Sequence, residues 1–520
     1  MPISQLGSVN TASLVVPDLY VQIVPPQNLV LNGVPTNIVG VVGTAAWGPV
    51  DQPIVVSTMA DYANSFGTVT PRKYDMGTQV ATAVQQGAQN FRCVRVTDGT
   101  DSSAYSVISG TNASFTALYT GSLGNGISIT IAPSSNPATW KLTILLSGYT
   151  PEVFDGLTGD GLAFWTGLVN AVNNGQGPQR GPSNFVIASA GGTTASPSSV
   201  SFTLGSTSPG SDGATSVGSA TLVGMDTLPR TGMYALRSQG CGLALLADCD
   251  DSTTWTTQAA FGLQEGVYMI MTTPAGDTIA NAVATIAEAG LNSYSAKLMF
   301  GDWLWWNDQI NQIVRLVSPQ GFTSGRLANL SPEQSSLNKP IYSIISSQKS
   351  GSADSGQAST YSSAELSVLI DAGIDVICNP QPGGSYWGVR AGHNTSSNIA
   401  IHGDNYTRLT NYIAETLASG MGQYVGQVIN NSLFSQVRAT LLAFLNNMLS
   451  QGMLGSTSGS MPFSVVCDTS NNPTSRTSLG YVQADVQIQY QAINELFIVN
   501  VEGGQTVQIS KQTLPQGQVG

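Results

Sequence analysis

Near the C-terminus Val486, Ile488 and Tyr490 alternate with Gln487, Gln489 and Gln491, and beyond Ala492 to Glu495 comes the run Leu496, Phe497, Ile498, Val499 and Val501. Period-two alternation predicts a strand covered on one face, and the denser run predicts a strand covered on both. Asp485 to Val501 therefore reads as one long strand, with a short extension through Val507 and Ile509. The tail with Gly503-Gly504 and Pro515 is too polar to form a core, so this strand either closes its own domain or adds to the edge of a neighbouring copy. At the other end Val15, Val16, Tyr20, Val21, Ile23 and Val24 are broken by Pro17, Pro25 and Pro26, which predicts an extended arm with one short edge strand.

Between the ends the pattern switches between periods. A strand through Ile38 to Gly43, the turn Trp47-Gly48-Pro49, a strand at Ile54 to Val56, a helix from Thr58, a second helix capped by Asp75 and a strand from Phe91 to Val96 make an alternating β/α opening. Thr58 and Asp61 have capping-box spacing, and Gly67 ends the first helix. From Asp98 to Val223 small polar residues surround short β-rich runs such as Gly126 to Ala132 and Trp140 to Leu146, which predicts an inserted peripheral domain. The rhythm then resumes, with strands at Gly242 to Ala247, Val267 to Thr272 and Ala296 to Phe300 separated by helices from Ser252 and from Gly276. Such a series implies a parallel sheet with right-handed crossovers.

The last third reads as α+β: a helix over Ala364 to Ala372, a strand over Ile374 to Cys378, and helix faces at Tyr406, Leu409, Ile413, Leu417 and at Leu433, Val437, Leu441, Phe444. Asp404 or Asn405 is expected to begin the first of these helices and Ser432 the second. The expected division is an N-terminal arm (1–28), a core α/β part (29–97), the β-rich insert (98–223), a second core part (224–365), a C-terminal α+β domain (366–502) and a C-terminal arm (503–520).

Composition narrows the functions available. A chain of 520 residues supports about three domains. Charged residues are 9% of it, against roughly 25% in ordinary soluble domains. With 30 acidic and 18 basic residues, a net charge of -12 and no Lys/Arg cluster, the footprint of a nucleic-acid partner is missing. No apolar run approaches the roughly 18 residues of a membrane span, and Met1 to Asn10 lacks the features of a signal peptide, so direct membrane insertion is not expected and the cytosol is the expected site of synthesis. Cys93, Cys241, Cys249, Cys378 and Cys467 are scattered and odd in number, which fits reduced thiols acting as small hydrophobes.

Candidate chemistry is sparse. The two histidines, His393 and His402, share one Ser/Asn-rich stretch and are assigned no proton-transfer role, because the chain has no G-x-S-x-G elbow. Gly43 to Gly48 has P-loop spacing, but Pro49-Val50 replaces the required Lys and Ser/Thr. Gly121-x-x-Gly124-x-Gly126 leads into a strand pattern and not a helix N-terminus. Cys241 between Gly240 and Gly242 reads as buried, and Asp248, Asp250 and Asp251 offer a hard cation three carboxylates but are explained more simply by capping before Thr253. No catalytic, cofactor-binding or metal-ligating residue is assigned.

Five short motifs in order resemble the tail sheath proteins of contractile-tailed phages, nearest the Mu-like branch. They are Ile38-Val-Gly-Val-Val-Gly-Thr-Ala-Ala-Trp-Gly-Pro-Val50 with Asp61-Tyr62 and Phe66-Gly67; Phe91-Arg-Cys-Val-Arg-Val96; Gly121-Ser-Leu-Gly-Asn-Gly-Ile-Ser128; Ser318-Pro-Gln-Gly321 with Gly325-Arg-Leu-Ala328; and Trp387-Gly-Val-Arg390. The insert, and Lys339-Pro340 where many members carry an acidic then Trp-Lys-Ala-Pro stretch, depart from the family pattern. The resemblance implies a subtilisin-like α/β sheath fold without a catalytic triad, carrying extended terminal arms. It implies a non-enzymatic subunit, assembled in a host cytoplasm into the sheath of a virion tail, whose partners are itself, the tail tube protein, and baseplate and tail terminator proteins. It also makes strand donation the favoured use of both ends, with Val15, Tyr20, Val21, Ile23, Val499, Val501, Val507 and Ile509 as interface side chains. The alternatives are the sheath of a phage-tail-like bacteriocin or secretion machine and, from another class, an α/β hydrolase; a surface-layer protein or adhesin would need an export signal.

Overall fold

Runs without alternation, apolar except for Lys297 and Thr272, build the centre of the molecule: Val39–Gly43, Leu243–Leu246, Tyr268–Thr272 and Ala296–Met299 are buried along their whole length. Runs of this kind suit parallel strands covered on both faces. The computed structural model describes residues 3–4, 21–22, 31–349, 360–499 and 501. In it these strands stand in a seven-stranded sheet ordered Ile374–Asp375, Ala296–Met299, Tyr268–Thr272, Leu243–Leu246, Val39–Gly43, Phe91–Arg95, Pro53–Val56. All pairings are parallel except the last, where Pro53–Val56 runs antiparallel at the edge. A proline is tolerated there because an edge strand can leave one side of its ladder unmade.

Successive side chains point to opposite faces, so each strand feeds two cores. Val39, Val41, Phe91, Leu243 and Ile270 pack against helices Met76–Gln85 and Gln320–Ala328. Val42, Val94, Leu246, Met269 and Leu298 pack against helices Trp255–Glu265, Ile279–Ala289 and Ser363–Asp371. The helices Met76–Gln85 and Gln320–Ala328 touch backbone to backbone, because a Cβ at Gly321 would strike Thr82 and one at Gly325 would strike Ala83. Gln320 Nε2 then reaches the strand ends, donating to the Leu246 and Ile270 carbonyls at 3.0 and 2.9 Å.

Local signals account for most element ends. The Thr58/Asp61 capping box is formed, Asp75 accepts from the Thr78 amide at 2.8 Å, and Gly266 ends its helix in the left-handed region. Elsewhere the structure departs from the expected bounds. The helix expected from Gly276 starts at Ile279, because Thr278 caps it through the Asn281 amide. The last long helix is capped by Asn430, not begun by Ser432, through the Leu433 amide at 2.9 Å. The strand expected over Ile374 to Cys378 divides: Ile374–Asp375 joins the central sheet, while Ile377–Cys378 pairs with Gly388–Val389.

The stretch after Asp98 builds two small sheets, one of Glu152–Leu157, Trp140–Leu145, Ser128–Pro133 and Val200–Thr203, the other of Val186–Ser189, Ser114–Ala117 and Tyr105–Val107. It also holds the helix Gly161–Asn174, unexpected from its Ser/Thr/Gly texture, whose Phe164, Trp165 and Leu168 enter a separate core with Ile129, Leu142 and Phe154. Its chain ends meet: the Asp98 amide donates to the Gly213 carbonyl at 2.7 Å and the Ser216 amide to the Asp98 carboxylate at 2.8 Å. Fully buried Arg95, at the end of a central strand, donates to the carbonyls of Gly48, Thr120 and Asp212 at 2.6, 2.7 and 3.0 Å, tying this body to the sheet. Val217 and Leu222 pack back into the central core.

The C-terminal body is joined to the sheet by a buried charge. Lys297, in a central strand and fully buried, donates to Asp375 at 2.7 Å, Asp404 at 3.0 Å and the His393 carbonyl at 3.0 Å. Asp375 also accepts from the Ala391 and Gly392 amides at 2.9 and 2.8 Å. Asp404, in the first turn of the helix Asp404–Gly420, accepts from the Tyr268 hydroxyl at 2.7 Å and from Ser336. Burial alone raises the Asp404 carboxyl, but Lys297, Ser336 and Tyr268 outweigh it and hold it below its ordinary range. Burial likewise lowers the Lys297 ammonium, and the two carboxylates more than offset this.

Removing one partner of such a group leaves an uncompensated buried charge. Lys297→Met is therefore expected to cost about 3–5 kcal/mol in chemical denaturation at neutral pH. Adding Asp375→Asn and Asp404→Asn should recover part of the loss, and a single-variant cost below about 1 kcal/mol would show that the network carries no load. The Asp404 contribution is present above about pH 4, its unfolded value, and is lost as pH falls through the depressed folded value. A second expectation follows from the meeting of Asp98 with Gly213: replacing residues 99–212 by a short Gly/Ser linker should leave a soluble core with a cooperative melt. Aggregation with loss of α/β circular dichroism would contradict a peripheral placement.

Candidate assembly surface

The C-terminal body packs Leu409, Ile413, Val437, Leu441 and Phe444 of the helices Asp404–Gly420 and Asn431–Ser450 against the strand Phe463–Val466. That strand pairs antiparallel with Asp485–Ile488, Phe463 opposite Ile488, and each has one ladder neighbour among the described residues. The long strand expected over Asp485 to Val501 therefore ends at Ile488. Its four residues match the length of the strand beside it, and past Pro462, whose carbonyl takes the Gln489 amide at 2.7 Å, no further ladder pairing is formed among the described residues.

From there the chain lies on the first helix. Tyr490 meets the Thr410 hydroxyl at 3.2 Å, and Asn405 Nδ2 donates to the Gln491 carbonyl at 3.1 Å. The apolar run then leaves the surface: Leu496 is 85% exposed, Phe497 82%, Ile498 80%, Val499 64% and Val501 86%. The density of this run predicts cover on both faces, and among the described residues it has little. Consecutive large apolar residues in water mark a surface meant to be covered. Val499 and Val501, expected at an interface, belong to this run, and Leu496, Phe497 and Ile498 join them beyond that expectation. Val21 lies in the short strand Val21–Gln22, parallel to Ile3–Ser4. Val15, Tyr20, Ile23, Val507 and Ile509 lie outside the described residues.

The candidate chemistries find other partners. Asp248 is buried and accepts from Gln79 Nε2 at 2.8 Å, Asp250 pairs with Lys73 at 2.9 Å, and Asp251 caps the turn Ser252–Thr254 through the Thr253 amide at 3.0 Å. Burial pushes the Asp248 carboxyl up to about 6 against the pull of Ser318 and the Tyr74 amide, and the Ser219 and Thr253 hydroxyls hold Asp251 low. Burial pushes the Cys241 thiol up to about 12, the opposite of an activated nucleophile. Gly48 gives its carbonyl to Arg95, and Gly121 precedes a 3-10 turn, Ser122–Gly126, that runs into a strand. Among the described residues no serine hydroxyl hydrogen-bonds either histidine; the two imidazoles face each other, with ring centres 3.8 Å apart. Burial, then the neighbouring His393, lowers the His402 imidazole below its ordinary value.

No known family's sequence profile matches the chain, and neither does any curated protein. Solved structures do. The sheath tail protein of Desulfitobacterium hafniense superposes with a TM-score of 0.57 at 14% identity, over 85% of this chain and 92% of that one. The sheath tail protein of Listeria innocua gives 0.58 at 12% identity, over 85% and 90%. The sheath of an extracellular contractile injection system in its contracted state gives 0.53 at 11% identity, over 94% and 98%. At such identities the likeness is one of fold: the chain has the multi-domain α/β architecture of contractile sheath proteins, with one large, mainly parallel sheet and several smaller ones.

Proposed function

We propose that the chain is a structural sheath subunit that polymerises helically around a tail tube and contracts to drive the tube through a host cell envelope during genome delivery. The observation that carries this reading is the exposure of Leu496, Phe497, Ile498, Val499 and Val501, set on a body with the fold of sheath proteins. Such a run is of use to a second copy. As a strand it offers alternating side chains and free backbone groups to an open edge, and contacts between unlike surfaces that do not close generate helical assemblies.

On this reading Val499, Val501, Val507 and Ile509 at one end, and Val15, Tyr20, Val21 and Ile23 at the other, are donated to neighbouring sheets. The central sheet is then a subtilisin-like sheath core without a triad, the stretch 98–223 faces outward, and the tube, baseplate and tail terminator are the further partners of a virion tail built in a host cytoplasm. Among the described residues no helix is long and apolar enough to cross a membrane. A phage-derived injection machine is the second reading, favoured by the fuller coverage of the extracellular injection-system sheath. The α/β hydrolase reading has neither an activated nucleophile nor a base hydrogen-bonded to one among the described residues to support it.

Removing residues 503–520 is expected to leave each subunit folded, with an unchanged melting temperature, but unable to build sheaths in negative-stain micrographs. Phe497→Asp combined with Val499→Asp should act alike, because both side chains are exposed in the lone subunit. Regular sheaths of normal length from either variant would sink the assignment of this end to assembly.

A further inference from the structure

We propose that His393, His402 and Glu495 form a binding site for a divalent transition metal of the zinc class, which clasps the root of the exposed C-terminal run to the body. These are the only two histidines of the chain. The fold brings them together by closing the loop between them. His393 pairs with Gly403 in an antiparallel bridge, and the Asn394 amide donates to the His402 carbonyl at 2.7 Å. The loop is anchored from below, since the His393 carbonyl accepts from Lys297 and its amide donates to Asp375 at 3.3 Å. Glu495 arrives from the other direction, on the segment held at Tyr490 and Gln491.

The three side chains converge. One ligand atom from each lies within 4.8 Å of the other two. Glu495 Oε1 stands 3.2 Å from His393 Nε2 and 3.9 Å from His402 Nε2. At ordinary zinc–ligand lengths the edge of a coordination tetrahedron is about 3.3 Å, so small side-chain adjustments close the set around one ion. His393 Nε2 is buried and, although near the carboxylate, makes no aligned hydrogen bond. One nitrogen of each imidazole and one Glu495 carboxylate oxygen are close enough to share an ion, and a metal takes imidazole in its neutral form. Two imidazoles and one carboxylate suit zinc and its neighbours better than calcium or magnesium, and three protein ligands leave a fourth position for water. Glu495 directly precedes Leu496, so metal binding there fixes where the apolar run departs.

No metal was assigned from the sequence because Glu495 lies far along the chain from the histidine loop, outside any ligand-spacing motif. The test is calorimetric titration of chelator-treated full-length protein with zinc chloride, alongside hydrogen exchange with and without zinc. One zinc per chain is expected with Kd of about 1 μM or tighter. Exchange over residues 489–499 should slow about tenfold or more as the root is pinned. Glu495→Gln, at a 37% exposed side chain whose loss threatens no core, should weaken binding by at least about 100-fold, more than the loss of an outer partner of a ligand. His393→Asn with His402→Asn should abolish it. Zinc binding absent at about 100 μM, binding unchanged in Glu495→Gln, or binding that leaves exchange over 489–499 unaltered would each overturn the proposal.

Discussion

A single ammonium group sets much of the architecture. Lys297 sits in the middle of a central strand with no access to water, where an unpaired charge would cost several kcal/mol. It is stable there only while Asp375 and Asp404 stay in place, and those carboxylates belong to different parts of the molecule. Asp375 ends the outermost parallel strand; Asp404 opens the helix that founds the C-terminal body, where the helix dipole also favours a negative charge. Asp375 further gathers the amides of Ala391 and Gly392, so the loop carrying His393 takes its shape from the same charge. Sheet, loop and C-terminal body are thereby held in one arrangement.

That rigidity gives the exposed run its meaning. The run that begins at Leu496 leaves a surface fixed by Tyr490 and Gln491, so its point of departure is set although its side chains are exposed among the described residues. Strand addition works through main-chain hydrogen bonds and asks little of side-chain identity. With charged residues at 9% of the chain, a face laid against another copy would take few ionised groups out of water.

The central sheet is legible because its strands, Lys297 apart, are nearly continuous apolar runs and its helices carry ordinary stop and start chemistry: the Thr58/Asp61 box, Asp75, and Gly266. Two features resisted. The helix Gly161–Asn174 was hidden by the Ser/Thr/Gly texture around it, although Phe164, Trp165, Leu168 and Val172 carry the 3.6-residue spacing. The expected terminal strand is longer than the observed one because periodicity reports what a segment is able to cover and not which edge it meets; among the described residues the ladder stops with Phe463 opposite Ile488. The polar contacts that join distant segments, Lys297 with Asp404 and His393 with Glu495, have no local signature, since tertiary proximity alone creates them.

Electron cryomicroscopy of the assembled full-length chain tests the central claim most directly. The account predicts a helical array in which residues 496–501 have become a strand, their backbone in ladder register with a sheet edge of a neighbouring copy and their apolar side chains covered by it. A helical array in which those residues stay exposed or fold back onto their own subunit, or a chain that remains monomeric at high concentration, would contradict it.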